Sequence, residues 1–595
     1  MRLRNWATAT LAAVATLSLP AVTAATPRAA AAPSSGDAIV HLFQWRWSSI
    51  AEECETTLGP GGWGGVQVSP PQEHVVLPEA EGAAYPWWQD YQPVSYRLDR
   101  TRRGTKAEFV DMVERCRAQG VRIYVDMVLN HMTGTGSVGS GPGSAGSVFG
   151  KYDYPDLFGD GSGDRYDRPD FGPCYRAISD WSSKAEVQDC ELLDLADLNT
   201  ADPRVRAAIA KYMNSVIGLG VAGFRVDAAK HVQAEHLADI VSRLHDVPGF
   251  GGRPDLFHEV YGDATVPYTD YTALGRVTNF DYQRAVSAAV RDGDLTRLAD
   301  LPDHGGLTGA QSVVFIDNHD TQRSDPTLTY KDGDRYYLAD ALMMAHPYGT
   351  PQVMSSYAFG AVTAQGPPST ADGTTLPTDC GSAAWVCEHR DPRVAGMPGF
   401  RNATAGTGMS SVVTDGPGRL AFARGDKGYA AFNATGTPWR ATFRTGLPDG
   451  TYCDVARGTF DRRTGRCTGG TVAVSGGSFT AEIPANHGVA LHVAARLGDA
   501  ARVEVAFSAT ASTWWGQQVL VVGDVPQLGG WDPARGVALS ARDYPVWTGS
   551  VRLPEGQRFE YKLVKRAPDG NVVWESGPNR QHTVTGPTTL IATWR

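Results

Sequence analysis

From about residue 38 to 400, short apolar runs alternate with stretches whose apolar positions recur every three or four residues, the pattern of a parallel α/β architecture. The runs read as strands at AIVHLFQW (38–45), GGVQVSP (64–70), VRIYVDMV (121–128), AGFRVDAA (222–229), DLFHEV (255–260), VTNFDY (277–282), SVVFIDNHD (312–320) and PQVMSS (351–356). Eight such strands close a (β/α)8 TIM barrel. Between them, KAEFVDMVERCRAQG (106–120) sets Phe109, Met112, Val113 and Cys116 on one helical face. PRVRAAIAKYMNSVIGLG (203–220) opens on Pro and closes on Gly, as helices do. The stretch after the third strand breaks this rhythm. Residues 132–190 are rich in Gly, Ser, Asp and aromatics and too long for a connection, so they form an inserted subdomain within a barrel spanning 38–404.

Beyond about 405 the helical period stops. The runs LAFARG, YAAFNA and GVALHVA, separated by Gly, Pro and Asp, predict an antiparallel β domain over 405–496. A second β-rich unit, 500–595, contains VEVAFSA, QVLVVG, FEYKLV and TTLIATWR and six of the 15 Trp of the chain. Its strand runs predict a further β domain.

Composition narrows the partners. The 595 residues make three or four domains, and 42% hydrophobic with 20% charged residues is an ordinary globular balance. A net charge of -10 argues against nucleic acid or an anionic membrane surface as partner. The start, MRLRNWATATLAAVATLSLPAVTA, combines two early Arg, an apolar run and small residues, and reads as a signal peptide within 1–32, cleaved between Ala24 and Ala32. No later run of about 18 apolar residues predicts a membrane span, so a secreted, extracellular protein, monomeric in solution, is expected. Its eight Cys are an even set with no C-x-x-C pair. Proximity suggests Cys174–Cys190, Cys380–Cys387 and Cys453–Cys467, leaving Cys54–Cys116, although spacing alone does not fix the connectivity.

In a parallel barrel the chemistry lies just past the C-terminal ends of the strands. Asp227 ends GFRVD, Glu259 ends DLFHE and Asp320 follows FIDNH, so three strands could aim acids into one pocket. A single strand-end Asp is more often a solvated loop residue; three together are more informative. Two carboxylates of differing pKa are the minimum for glycoside hydrolysis. Arg225, two residues before Asp227 and so on the same face of the strand, would hold that Asp ionised.

The stretches HLFQWRWSSIAEECE, GGVQVSPP, YPWWQDYQPVSY, RIYVDMVLNH, GVAGFRVDAAKH, HEV, FIDNHD and HPYGTPQVMSSY together closely resemble the α-amylases of the retaining glycoside hydrolase clan, especially the animal-like branch also found in actinomycetes. The resemblance covers about 38–495. It implies endo-acting hydrolysis of α-1,4 links in starch and related glucans, with Asp227 as nucleophile, Glu259 as acid and base, and Asp320 as transition-state stabiliser. It further implies substrate contacts from Trp87, Trp88, Tyr91, Gln92, His131, Lys230 and His319, with Arg225 beside them. Alone, either His would more often be a satisfied structural residue. Two alternatives are a maltooligosaccharide-releasing or transglycosylating enzyme of the same clan and a non-catalytic starch-binding protein.

That branch holds Ca2+ between barrel and B domain, and Asn130, Asp194 and the carbonyl of His231 match its ligands, with Asp197 a rival to Asp194. Gln188 stands where an Arg often supplies a further carbonyl. Chloride is expected not to be required: Arg225 and Asn318 match two of the branch's chloride ligands, but Gln352 replaces the second basic one. Through VVGDVPQLGGWDP, FEYKLVKR and VVWESGPNRQHTV, residues 500–595 resemble a starch-binding module, which implies a β-sandwich. The resemblance implies binding of granular starch at one site of Trp531, Lys562, Trp574, Glu575 and Asn579 and a second of Trp515, Tyr544 and Trp547.

Overall fold

The computed structural model describes residues 36–134, 141–300, 304–324, 328–462, 464–498, 502–555 and 557–595. The signal-peptide reading of residues 1–32 falls outside them. Eight parallel strands close a barrel: β1 (Ile39–Leu42), β2 (Gly65–Val68), β3 (Arg122–Met127), β4 (Gly223–Val226), β5 (Asp255–His258), β6 (Arg276–Thr278), β7 (Ser312–Val314) and β8 (Thr350–Ser355). Each pairs with its sequence neighbours, and β8 closes on β1. The strands are covered on both faces, which is why they read as continuous apolar runs rather than alternating ones.

Inside the barrel, Ile39, Tyr124, Phe257 and Val313 form an apolar plug. The Tyr124 ring lies across Gly65 and Gly223, where an added Cβ would come within 2.5 and 2.8 Å of it. Two residues further along their strands, His41, Gln67, Asp126 and Arg225 give a polar layer above the plug, with Arg225 directly opposite Asp126 in register. The floor of the site is therefore set by strand register.

All the expected strands but the last are shorter than the sequence suggests, among them four at the end nearest the chemistry. The ladder ends at Val226, His258, Thr278 and Val314, although apolar residues continue beyond each. After β6 the chain turns at once into the helix Phe280–Asp292, whose first turn is capped by the Asn279 side chain accepting from the Tyr282 N–H at 3.0 Å. The helix Lys106–Ala118 carries a reciprocal cap between Thr105 and Glu108 and buries Phe109, Met112, Val113 and Cys116.

The insertion after β3 leaves through His131–Gly134 and returns through Leu195–Asp197, which pairs with it antiparallel, so its last strand runs past residue 190. Disulfides join Cys54–Cys116, Cys174–Cys190, Cys380–Cys387 and Cys453–Cys467. A four-stranded antiparallel sheet (Met409–Thr414, Arg419–Arg424, Gly428–Asn433, His487–His492) heads the next domain. The last unit has a four-stranded and a five-stranded sheet around a core of its own that includes Val505, Phe507, Val521, Phe559 and Leu563. Among the described residues, no helix is long and apolar enough to cross a membrane.

Candidate active site

Arg225 is the centre of the polar layer. Buried on β4, its Nη1 lies 2.5 Å from Asp126 Oδ1 and 2.9 Å from Asp227 Oδ1, while Nη2 lies 2.5 Å from Glu259 Oε1. Asp227 and Glu259 lie one residue beyond β4 and β5, where the chain leaves the ladder and its side chains can turn into the barrel mouth. Ala228 takes a left-handed backbone conformation, φ 49°, uncommon for a residue with a Cβ, and its N–H donates to Glu259 Oε2 at 2.8 Å. The strained turn after Asp227 thus holds the second acid.

Asp320 sits on the turn after β7, whose backbone is fixed by Asn318 Oδ1 accepting the N–H groups of Asp320 and Thr321 at 3.0 and 2.8 Å. Burial pushes its carboxyl up to about 7, helped by the charge of Glu259 and opposed by Arg225 and Arg323. Burial also pushes Asp227 and Asp126 up, with Arg225 pulling both the other way. Asp126, Asp227 and Asp320 thus all hold their protons more tightly than free carboxyls do, against the pull of one buried guanidinium.

The walls are aromatic and the histidines neutral. His319 stacks against Phe43 and Tyr91, with ring centroids 4.9 and 5.1 Å apart, and meets the edge of Trp87. Burial, then Arg225, holds it well below the usual imidazole range. His131 Nε2 donates to the Tyr91 carbonyl at 2.9 Å, and burial lowers its pKa to about 4. The Tyr91 hydroxyl donates to Asp126 at 2.8 Å. Gln92 Oε1 accepts from the Gly134 N–H at 2.9 Å, tying this wall to the inserted domain. Trp87 is half-buried with its N–H bonded to the Thr363 carbonyl, and the buried Trp88 N–H has no protein partner. Lys230 Nζ reaches Asp263 at 2.6 Å.

Two groups of this site were missed from sequence. Asp126 lies inside a strand rather than at its end, and only its alternation with Tyr124 in RIYVDM hinted that it faces inward. Arg323 lies over the rings of Phe43, Trp87, Tyr357 and Phe359, and its Nη1 donates to the His319 carbonyl at 2.7 Å. No sequence signal marked it.

The proposed cation ligands need one correction. Asp194 follows Leu193 through two left-handed residues and turns outward: its side chain is 51% exposed and 3.9 Å from Lys151. Asp197, on the returning strand, is buried beside Asn130, its carboxyl pushed well up by burial and by Asp189 and Glu191. A buried acid crowded by two others suits a cation, and side-chain and carbonyl oxygens are the donors a hard one takes. His231 is one turn past β4, with Nδ1 donating to the Val187 carbonyl at 2.8 Å. At the floor of the barrel, the buried Gln352 donates to Gln67 Oε1 at 2.7 Å, and Gln67 donates to Asp126 at 3.2 Å.

In the last unit Trp531 and Trp574 stand 6.1 Å apart, tilted by 47°. Beside them Lys562 Nζ donates to the Gly577 carbonyl at 2.7 Å, and Asn579 donates to Glu560 at 2.9 Å. Trp515 is 97% exposed and Tyr544 54%. Two expected sugar contacts are corrected. Glu575 is 2% exposed, held by Arg580 at 2.9 Å through both oxygens and by the Leu563 N–H, so its carboxylate ties the sheet rather than facing solvent. Trp547 is 5% exposed, packed in the sandwich core with its N–H donated to the Ala511 carbonyl.

Comparison with known proteins places these units. The families described as "Alpha amylase, catalytic domain", "Alpha amylase, C-terminal all-beta domain" and "Starch binding domain" match residues 83–250, 411–494 and 502–593. An alpha-amylase of Thermomonospora curvata is 56% identical over 92% of this chain and 91% of its own length. One of Streptomyces violaceus is 39% identical over 99% and 98%. The crystal structure of alpha-amylase I from Eisenia fetida, of which a variant has also been solved in complex with maltohexaose, superposes with a TM-score of 0.70 at 36% identity, covering 78% of this chain and 98% of that one.

Proposed function

Because the chain belongs to the α-amylase family and hydrolyses the α-1,4 bonds of starch, we propose that it cuts within glucan chains by double displacement, with Asp227 as nucleophile and Glu259 as acid and base. The observation that carries this reading is the Arg225 guanidinium reaching both carboxylates through its two terminal nitrogens. Such a bridge favours the closer of the two carboxylate spacings found in glycosidases, the one used with retention. In the first step an oxygen of Asp227 bonds to the anomeric carbon as the bond from that carbon to the leaving oxygen breaks, and Glu259 gives that oxygen a proton. In the second, water attacks the same carbon, loses a proton to Glu259 and releases Asp227. Two inversions restore the α configuration. Asp320 and His319 would hold sugar hydroxyls, the latter as a neutral imidazole, while His131, whose one N–H goes to the Tyr91 carbonyl, would accept at Nδ1, and Trp87, Trp88 and Tyr91 would offer ring faces. Gln92 and Lys230 flank them.

Polarimetry and chromatography of products from soluble starch test the reading. Maltooligosaccharides of mixed length, released first as α-anomers, are expected; β-anomers, or a single product length from the outset, would overturn it.

Asn130, Asp197 and the carbonyls of Gln188 and His231 would hold Ca2+, which when bound would neutralise the crowded acids between barrel and inserted domain. Chloride has no comparable place. A neutral amide adds no charge to offset an anion's desolvation, and one of the two N–H groups of the Gln352 amide is already given to Gln67. In chelated, chloride-free acetate, added calcium is expected to restore turnover and thermal stability, and chloride at fixed ionic strength to leave turnover unchanged. Several-fold activation by chloride would show that Gln352 does not disable that site, and indifference to calcium would remove the cation.

We further propose that the protein is secreted, since four disulfides suit an oxidising compartment, and that the last unit binds starch through Trp531 and Trp574, with Lys562 and Asn579 beside them, and separately through Trp515 and Tyr544.

A further inference from the structure

We propose that an open groove between Trp514 and Trp594 is a third glucan-binding site of the last unit, separate from the two pairs of rings above. The inference rests on the reading of residues 502–593 as a starch-binding domain. The groove has a volume of about 450 Å³ and is lined by Trp514, Trp594, Lys565, Val573, Gln517 and Thr513 among others. Strand register separates it from the Trp531–Trp574 pair. Lys565 lies opposite Val573 and Val564 opposite Trp574, so Lys565 and Val573 share the face that Trp574 does not.

The lining has the chemistry of a neutral polyhydroxyl ligand. Trp514 is 58% exposed, far more than a core residue would be. Trp594 is half-buried at the edge of the sandwich core, its backbone N–H bonded to the Thr510 carbonyl at 2.9 Å and its ring 4.1 Å from Lys565 Nζ. Indole faces suit the apolar faces of glucosyl units, while an ammonium, an amide and a hydroxyl can bond their rims. No carboxylate lines the groove, so nothing in it selects a cation.

Continuity with the starch-binding surface identifies the occupant as an α-glucan chain. The Tyr544 hydroxyl bonds the backbone of Thr513, accepting from its N–H at 3.4 Å and donating to its carbonyl at 3.2 Å, and Trp515 adjoins Trp514. Thr513 and Trp514, which line the groove, are thus the immediate neighbours of Tyr544 and Trp515.

The test is adsorption to raw starch granules by the full chain made inactive with Asp227→Asn, so that granules are not digested. With Trp515→Ala, Tyr544→Ala, Trp531→Ala and Trp574→Ala added, the protein is expected to retain at least roughly three-fold more adsorption than a chain ending at Arg496, and Trp514→Ala should remove that remainder. Removing the last unit is a fair control, because its core is its own. Trp514 is exposed, so Trp514→Ala does not threaten folding, and alone it should weaken adsorption several-fold. Adsorption by the fourfold variant no greater than that of the shortened chain, or no effect of Trp514→Ala, would overturn the third site. Equal adsorption by the unsubstituted and shortened chains would instead overturn the starch-binding reading beneath it.

Discussion

Asp227→Asn and Glu259→Gln are each expected to lower turnover on soluble starch by at least about 10³-fold, within and above the range of acid-base groups, while granule adsorption stays at the parent level. Each substitution keeps the shape of the side chain and removes one chemical capacity. An amide at 227 cannot form the glycosyl bond, and no neighbour replaces it: Asp126 is spent on Arg225, Tyr91 and Gln67 at the barrel floor, and Asp320 lies on a different turn. An amide at 259 still accepts the Ala228 N–H but has no acidic proton to give the leaving oxygen. The last unit has a separate core, so granule binding persists and reports that this unit is folded, while an unchanged Tm reports the barrel. Retention of more than roughly a tenth of parental turnover by either variant would place it outside the range of an essential acid or nucleophile.

How much of this was legible in the sequence depends on what each residue faces. The eight barrel strands were readable because strands covered on both faces must be continuously apolar. Their ends were not: the same apolar character runs on through Phe280 and Phe315, whose surroundings come from other elements. Asp227, Glu259 and Asp320 were legible because an acid closes each of three predicted strands, although Asp320 stands on a turn well past the end of β7. Arg323 was not, because only the fold brings Phe43, Trp87, Tyr357 and Phe359 around it. Asp194 and Asp197 could not be separated by spacing; two left-handed residues turn the first toward Lys151 and leave the second beside Asn130. Glu575 and Trp547 show the limit of resemblance, since a matching residue type does not say which way its side chain faces. Arg580 and the Ala511 carbonyl draw both inward.

Arg225→Met should be nearly as damaging as loss of a catalytic acid, with turnover down by at least about 10²-fold and the barrel destabilised by about 3–5 kcal/mol, the cost of removing one partner of a buried ion pair. Among the described residues, the guanidinium is the one group touching Asp126, Asp227 and Glu259 together. Without it the acids relieve their repulsion by keeping protons, which moderates the loss of stability and spoils the chemistry. Arg225 pulls the Asp227 pKa down against burial, so its removal lets that pKa rise. The nucleophile works only when ionised. Activity therefore fails as pH falls through its pKa, and a higher pKa moves the acid limb of kcat/KM to higher pH. A purely structural Arg would lower activity evenly across pH, so the limb distinguishes the two roles. Arg225→Lys retains a charge but presents one ammonium where two nitrogens reach three carboxylates, and it should recover part of the stability and little of the turnover. Full activity in Arg225→Lys, or an unmoved acid limb in Arg225→Met, would show that the guanidinium does not set the ionisation of Asp227.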